Sequence, residues 1–142
     1  YVTHYNMDTR FKVSIEKQED GTYIAYNVNG DNYTLLGTGD SVKEAKADFL
    51  NSMQAFKEME EEEKGTAAPI LTTAPDFKFD ISSLFEYYSM LNVSAFARFL
   101  GINETLMRQY KKGNTYISDT QLQKIENGIH QLGAEFSKLK LV

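Results

Sequence analysis

The sequence predicts an α+β protein in which a small sheet with one helix precedes an all-helical region, and three observations support this. Apolar and polar residues alternate along the first part of the chain, which is typical of half-buried strands. From about residue 41 the apolar residues recur at spacings of three and four, as they do on one face of a helix. Around Gly101, two short segments have the spacing of a helix-turn-helix.

The composition is that of a folded protein without membrane segments. Of the 142 residues, 42% are hydrophobic and 13% aromatic, and none is cysteine, which excludes a disulfide framework and a thiolate metal site. No apolar run approaches the roughly 20 residues of a membrane span, and no signal peptide is recognisable. We therefore expect a cytoplasmic protein with no membrane partner, and assign residues 1–8 to an N-terminal tail.

Alternating segments indicate the strands of the sheet. Phe11–Glu16 alternates apolar and polar residues, and Asp20-Gly21 is a strong hairpin signal before a partner strand at Tyr23–Val28. A third, shorter strand is expected at residues 33–38. Phe77–Asp80 alternates again, and after a helical crossover a fourth strand there would lie parallel to one of the first three.

The helix after the third strand begins at a capping box, because the Ser41 hydroxyl can accept from the backbone N–H of Glu44, whose carboxylate reaches back. Its apolar stripe is predicted to be core and consists of Val42, Ala45, Phe49, Met53 and Phe56. Glu58–Glu63 crowds negative charge at the helix C-terminus, where the helix dipole disfavours it. We expect this end to fray and Gly65–Pro69 to be linker, so that the acidic helix end and linker together occupy residues 58–76 of a first domain at 9–80.

The second domain, at residues 81–142, starts with a helix near Ser82–Leu91 and contains the strongest functional signal. Ala97 permits a close helix crossing, and Gly101 can adopt the left-handed conformation that ends a helix. The second helix of such a motif lies in the DNA major groove, where Arg and Gln side chains pair with guanine and adenine edges. The candidate DNA contacts are Asn103, Glu104, Thr105, Arg108, Gln109, Lys111 and Lys112. An ordinary two-helix corner is the alternative.

The distribution of charge agrees with this assignment. The net charge is −5, but residues 1–64 carry 7 Lys/Arg against 13 Asp/Glu, and residues 65–142 carry 8 against 7. Within residues 98–112 the balance is +3, so positive charge lies on the candidate DNA-reading segment, as phosphate neutralisation requires. The acidic first half either meets a basic partner or is simply solvated.

The last predicted helix begins at a second capping box, Ser118–Gln121, and carries an apolar seam with spacings of three and four. The candidate oligomerisation residues are Leu122, Ile125, Ile129, Leu132 and Phe136. The seam can close the domain core, form a dimer, or do both, and we expect both. Because helix-turn-helix proteins usually read two half-sites, we expect a homodimer or a dimer of dimers on double-stranded operator DNA.

Catalytic signals are weak, and we expect no enzyme, no cofactor and no metal site. A catalytic nucleophile would need a histidine as its base, and the chain has only His4 and His130. His4 lies in the predicted N-terminal tail, and His130 lies beside the apolar seam of the last helix, where we expect a structural role. Gly37-Thr38-Gly39 lacks the lysine of a P-loop and the third glycine of a dinucleotide-binding loop. A two-metal nuclease set could be drawn only from scattered carboxylates, namely Asp31, Asp40 and Asp48.

Over about residues 11–137, the order of motifs resembles the HicB family of antitoxins, in the form common in Bacteroides-like bacteria that carries a Cro-like helix-turn-helix. The resembling segments of the first half are Lys12–Lys17, Glu19–Tyr26 and Gly37–Ala45. Those of the second half are Phe77–Asp80, Phe85–Tyr88, Gly101–Asn103 and Met107–Tyr110.

This resemblance implies a partial ribonuclease H fold (βββα with a fourth strand) without nuclease activity, which binds and occludes a HicA-like mRNA-cleaving toxin. It also implies that the C-terminal domain represses the toxin–antitoxin operon and that the protein self-associates. One departure is that Asn27–Tyr33 replaces the usual Pro-Asp-Leu-Pro-Gly-Cys-like bend. The alternative is therefore a stand-alone transcriptional regulator whose N-terminal domain only oligomerises or senses a small ligand.

Overall fold

The computed structural model describes residues 10–113 and 115–142. The N-terminal tail expected at residues 1–8 lies outside this part of the chain. The architecture is α+β, as predicted, with a four-stranded mixed sheet followed by helices. The chain divides into two compact units, the first ending at Tyr87 and the second beginning at Tyr88.

The sheet has the strand order β3-β2-β1-β4. The strands are β1 (Lys12–Lys17), β2 (Tyr23–Asn27), β3 (Leu36–Gly39) and β4 (Asp76–Phe79). Strand β2 pairs antiparallel with both β1 and β3, whereas β4 pairs parallel with β1. The prediction of a fourth strand, parallel to one of the first three, is confirmed.

The helices are α1 (Val42–Lys64), α2 (Ile81–Tyr87), α3 (Val93–Leu100), α4 (Glu104–Lys112) and α5 (Asp119–Phe136), with a short 3-10 turn at Pro69–Leu71. The helix expected near Ser82–Leu91 is therefore shorter than predicted. It packs against β1, β4 and α1, so the units divide after Tyr87 rather than after residue 80. Among the described helices, none has the length and apolar character needed to cross a membrane.

Helix α1 lies directly on β3 because Gly37 has no side chain. A Cβ atom there would come within 2.2 Å of the Phe49 nitrogen and 2.4 Å of the Ala45 oxygen. The apolar stripe of α1 is buried as predicted, with Phe56 only partly covered. The core of this unit consists of Phe11, Val13, Ile15, Tyr23, Ala25, Leu35, Val42, Ala45, Phe49, Met53 and Leu71.

The start of α1 follows the predicted capping box with one difference. The Ser41 hydroxyl accepts from the backbone N–H of Glu44 at 3.1 Å, as expected. The Glu44 carboxylate accepts from the backbone N–H of Asp40 at 3.1 Å, one residue before the position that a standard capping box uses. Both bonds fix the entry of the chain into the helix.

The acidic end of α1 differs from the expected frayed helix and linker at residues 58–76. The helix continues to Lys64 and ends at Gly65, which has a φ of 79°. The carboxylate of Glu60 accepts from the Tyr33 hydroxyl at 2.5 Å and from the Ala68 backbone N–H at 3.0 Å. Leu71 is buried. Contacts with residues distant in the chain therefore hold this segment against the sheet.

The second unit has its own core between α3, α4 and α5. Its buried apolar residues are Phe96, Ala97, Leu100, Ile102, Met107, Tyr110 and Ile125. Helix α5 comes close to α3 at Gly128, where a Cβ atom would lie 1.9 Å from the Leu100 Cδ2. The Lys124 ammonium donates to the Gly101 carbonyl at 3.3 Å, which ties α5 to the turn between α3 and α4.

Candidate nucleic-acid interface

Two short helices meet at a glycine, as predicted for the segment Ser94–Tyr110. Gly101 has a φ of 73° and ends α3, and its backbone N–H donates to the Arg98 carbonyl at 3.1 Å. Ala97 is fully buried where the two helices cross. The turn therefore has the close packing and left-handed residue that a helix-turn-helix requires.

Asparagine side chains begin both helices. The Asn92 side chain accepts from the Ala95 backbone N–H at 2.8 Å, and that of Asn103 accepts from the Leu106 backbone N–H at 3.0 Å. Asn103 is a candidate DNA contact, and its carbonyl oxygen already serves as the N-cap of α4. This role could have been recognised in the sequence, because asparagine is a preferred N-cap residue before an acidic first turn.

Helix α4 has one buried and one polar face. Met107 and Tyr110 are buried. Opposite them, residues at positions i, i+3, i+4 and i+7 share an exposed face, and these are Thr105, Arg108, Gln109 and Lys112. Four predicted DNA contacts thus lie side by side on a surface that is open to a ligand.

The two remaining candidates of α4 flank this face. Lys111 is exposed in the last turn, where the helix ends at Gly113 with a φ of 87°. Glu104 is half-buried in the first turn. Its carboxylate lies 3.1 Å from the Arg98 guanidinium and 4.0 Å from that of Arg108. The hydrogen bond from Arg98 lowers the pKa of Glu104, so this carboxylate remains charged.

Arg108 is bound to neighbouring side chains on both helices. Its Nη1 donates to the Ser94 hydroxyl at 2.9 Å, and its Nη2 donates to the Thr105 hydroxyl at 3.2 Å. Sequence reasoning did not assign Ser94 or Arg98 to the site. The signal that could have found them is their spacing of one turn on α3, which places both beside the first turn of α4.

The apolar seam of α5 is divided between core and surface. Of its five candidate oligomerisation residues, Ile125 is buried, with 1% of its surface exposed. Ile129 and Leu132 are half-buried. Leu122 and Phe136 are 39% and 64% exposed. Within one chain the seam therefore contributes one residue to the core and leaves apolar surface uncovered.

The two units carry charge of opposite sign. Residues 1–87 contain 8 Lys/Arg against 16 Asp/Glu, which gives −8. Residues 88–142 contain 7 against 4, which gives +3. The structural boundary thus separates the charges more strongly than the boundary predicted from the sequence.

The first unit contains no cluster of metal-binding side chains within its described residues. The carboxylate of Asp48 accepts from the Thr38 backbone N–H at 2.9 Å instead. An open groove of about 430 Å³ lies between α1 and the segment before β4, and its lining includes Lys46, Leu50, Lys57 and Thr72. The Lys46 ammonium lies 4.7 Å from the ring centre of Phe77, a cation–π distance.

Comparisons with protein-family models, with curated proteins and with solved structures found no match to this chain. The features of this chain that bear on its function are the polar face of α4 and the opposite charges of the two units.

Proposed function

We propose that this protein is a HicB-like antitoxin that represses its own operon through the second unit and neutralises a HicA-like toxin through the first. The observation that carries the proposal is the exposed face of α4, with Thr105, Arg108, Gln109 and Lys112 opposite a buried Met107 and Tyr110. A recognition helix needs such an exposed polar face to enter the major groove, and this supports the proposal. The net charge of +3 on the same unit supports attraction to phosphates.

Two features of the first unit support its assignment as the toxin-binding part. The strand and helix order β1-β2-β3-α1-β4 agrees with the partial ribonuclease H sheet that the resemblance to HicB proteins implies. Its charge of −8 favours rapid association with a basic partner, because opposite charges steer diffusional encounter. The proposal assigns no catalytic activity to this chain.

Paired substitutions on α4 test the DNA contact. Arg108→Ala is expected to remove a base contact, costing about 1–3 kcal/mol and relaxing specificity at one position. Lys112→Ala is expected to weaken binding to all sequences alike and to lower the salt dependence by about one unit. Both are measured by titrating the DNA upstream of the gene at several salt concentrations. If both variants bind like the wild type, α4 is not the reading helix and the motif is a structural corner.

Co-expression tests the toxin partner. The proposal predicts a neighbouring gene for a small basic toxin, and this chain is expected to restore growth to cells that produce that toxin and to co-purify with it. The double variant Arg108→Ala/Lys112→Ala is the matched control, because its substitutions lie in the second unit and should leave toxin binding intact. A chain that neither rescues growth nor co-purifies with such a protein refutes the antitoxin assignment.

A stand-alone regulator is the second candidate, and two observations favour it. Asn27–Tyr33 replaces the bend usual in HicB proteins, and the groove beside α1 offers an apolar surface with Lys46 and Lys57 for a small ligand. If the wild-type chain binds operator DNA but does not restore growth to toxin-producing cells, this candidate is the better assignment than the antitoxin.

A further inference from the structure

We propose that Ser94 and Glu104 hold the guanidinium group of Arg108 in a fixed position before DNA binds, which makes Arg108 a selective reader of guanine. The inference rests on the proposed DNA binding and deepens it, because it names the base that is read and the residues that position the reader.

The contacts of Arg108 come from two helices. Ser94, in the first turn of α3, accepts from Nη1 at 2.9 Å, while Thr105 on α4 accepts from Nη2 at 3.2 Å. The Glu104 carboxylate lies 4.0 Å from Nη1. These contacts join the guanidinium to both helices, so the side chain is held across the α3–α4 crossing rather than extended freely into solvent.

The N–H donors of Arg108 that these contacts do not use can recognise guanine. A guanidinium group has five N–H donors, and the bonds to Ser94 and Thr105 occupy one hydrogen on each Nη nitrogen. Three N–H donors are not used by these bonds, and a guanine in the major groove needs two for its O6 and N7 acceptors. The contacts that hold Arg108 therefore leave enough donors for a bidentate contact with guanine.

Holding the Arg108 side chain in place before DNA binds raises its selectivity for guanine over other bases. A free arginine loses its rotamer freedom when it binds, whereas a held arginine has lost much of it already. Glu104 contributes to this holding, because its carboxylate lies 4.0 Å from Nη1 of Arg108. Arg98, at 3.1 Å from Glu104, keeps that carboxylate beside Arg108.

The test compares binding to two duplexes at a fixed salt concentration. The first is selected by the wild-type protein from a randomised library, and the second has one conserved G·C pair per half-site replaced by A·T. Ser94→Ala and Glu104→Gln are each made in the wild-type and Arg108→Ala backgrounds. Each is expected to lower the ratio of the two affinities about fivefold in the wild-type background. Neither should lower the ratio further once Arg108 is alanine.

Glu126→Gln is the matched control, because it makes the same change of charge at an exposed position of α5. It is expected to strengthen binding to both duplexes equally. Thermal unfolding confirms that the variants are folded, and a merely structural role of Ser94 or Glu104 would change unfolding without changing the affinity ratio. Unchanged ratios in the wild-type background overturn this inference while leaving DNA binding in place. A wild-type protein that selects no sequence overturns the proposed function and this inference together.

Discussion

The contact between α1 and β3 depends on a single hydrogen atom at Gly37. We expect Gly37→Ala to destabilise the first unit by about 3 kcal/mol or more, because the new methyl group would meet the backbone of α1, which cannot move aside as a flexible side chain can. Urea unfolding measures the loss. Gly133→Ala in α5 is the control, because its Cβ meets nothing within 4 Å, and it should stabilise by about 0.5–1 kcal/mol. Equal stability of Gly37→Ala and wild type would contradict the observed packing.

The bond between Tyr33 and Glu60 makes stability depend on pH. The hydrogen bond to Glu60 raises the pKa of Tyr33 to about 12, and the bond from Tyr33 lowers the pKa of Glu60. A lowered carboxyl pKa stabilises the fold above its ordinary value of 4.5, and this is lost as pH falls through the lowered pKa. A raised tyrosine pKa stabilises below its ordinary value of 10.0, and this is lost as pH rises towards 12.

Tyr33→Phe is therefore expected to lower the urea midpoint most between pH 4.5 and 10, with the difference from wild type shrinking on both sides. Tyr116→Phe is the control, since Tyr116 is 86% exposed. A difference that stays constant from pH 3 to pH 11 would mean that the residue acts through packing alone.

At the scale of elements, side chains of α1 cover the outer edge of β3. The Asp48 carboxylate accepts from the Thr38 backbone N–H, and the Ser52 hydroxyl donates to the Leu36 carbonyl at 2.9 Å. Leu36 and Thr38 are two residues apart, so their backbone groups point to the same outer edge. An edge whose groups are satisfied is a poor template for pairing with another strand.

We expect the double variant Asp48→Ala/Ser52→Ala to self-associate at concentrations where the wild type does not aggregate, because it frees the edge groups of β3. Light scattering against concentration measures this. Asn51→Ala lies on the exposed surface of the same helix and serves as the control. If the double variant stays as dispersed as Asn51→Ala, covering by α1 is not what protects the edge.

Local signals predicted much of each element, whereas contacts between distant residues could not be predicted. Ser41, Gly101 and Ser118 begin or end helices as expected, because capping depends on residues three or four positions away. The end of α1 was expected to fray because its acidic run is locally unfavourable. Tyr33 stabilises it from 27 positions earlier in the chain. The contacts of Arg98 with Glu104 and of Ser94 with Arg108 were missed for a similar reason, since both form only when α3 and α4 cross.

For the whole molecule, the uncovered seam of α5 predicts self-association. We expect Leu122→Ser/Phe136→Ser to shift the protein from dimer towards monomer in sedimentation equilibrium, with little loss of thermal stability, because both side chains are exposed. Leu141→Ser is the control, since Leu141 is 91% exposed and lies beyond the end of α5. A wild type that sediments as a monomer at tens of micromolar would contradict the predicted dimer and weaken the DNA proposal.

The position of β1 inside the sheet has a consequence for how a new chain acquires its structure. Strand β1 is synthesised before the other three strands of the sheet, yet Val13 pairs with Phe77, which follows only after all of α1. Closing so long a loop is slow, whereas the helices of the second unit pack against near neighbours in sequence and should form quickly. Until β4 arrives, one side of β1 has no neighbouring strand. The unfinished sheet is then the part of a growing chain most open to proteases and to pairing with another chain.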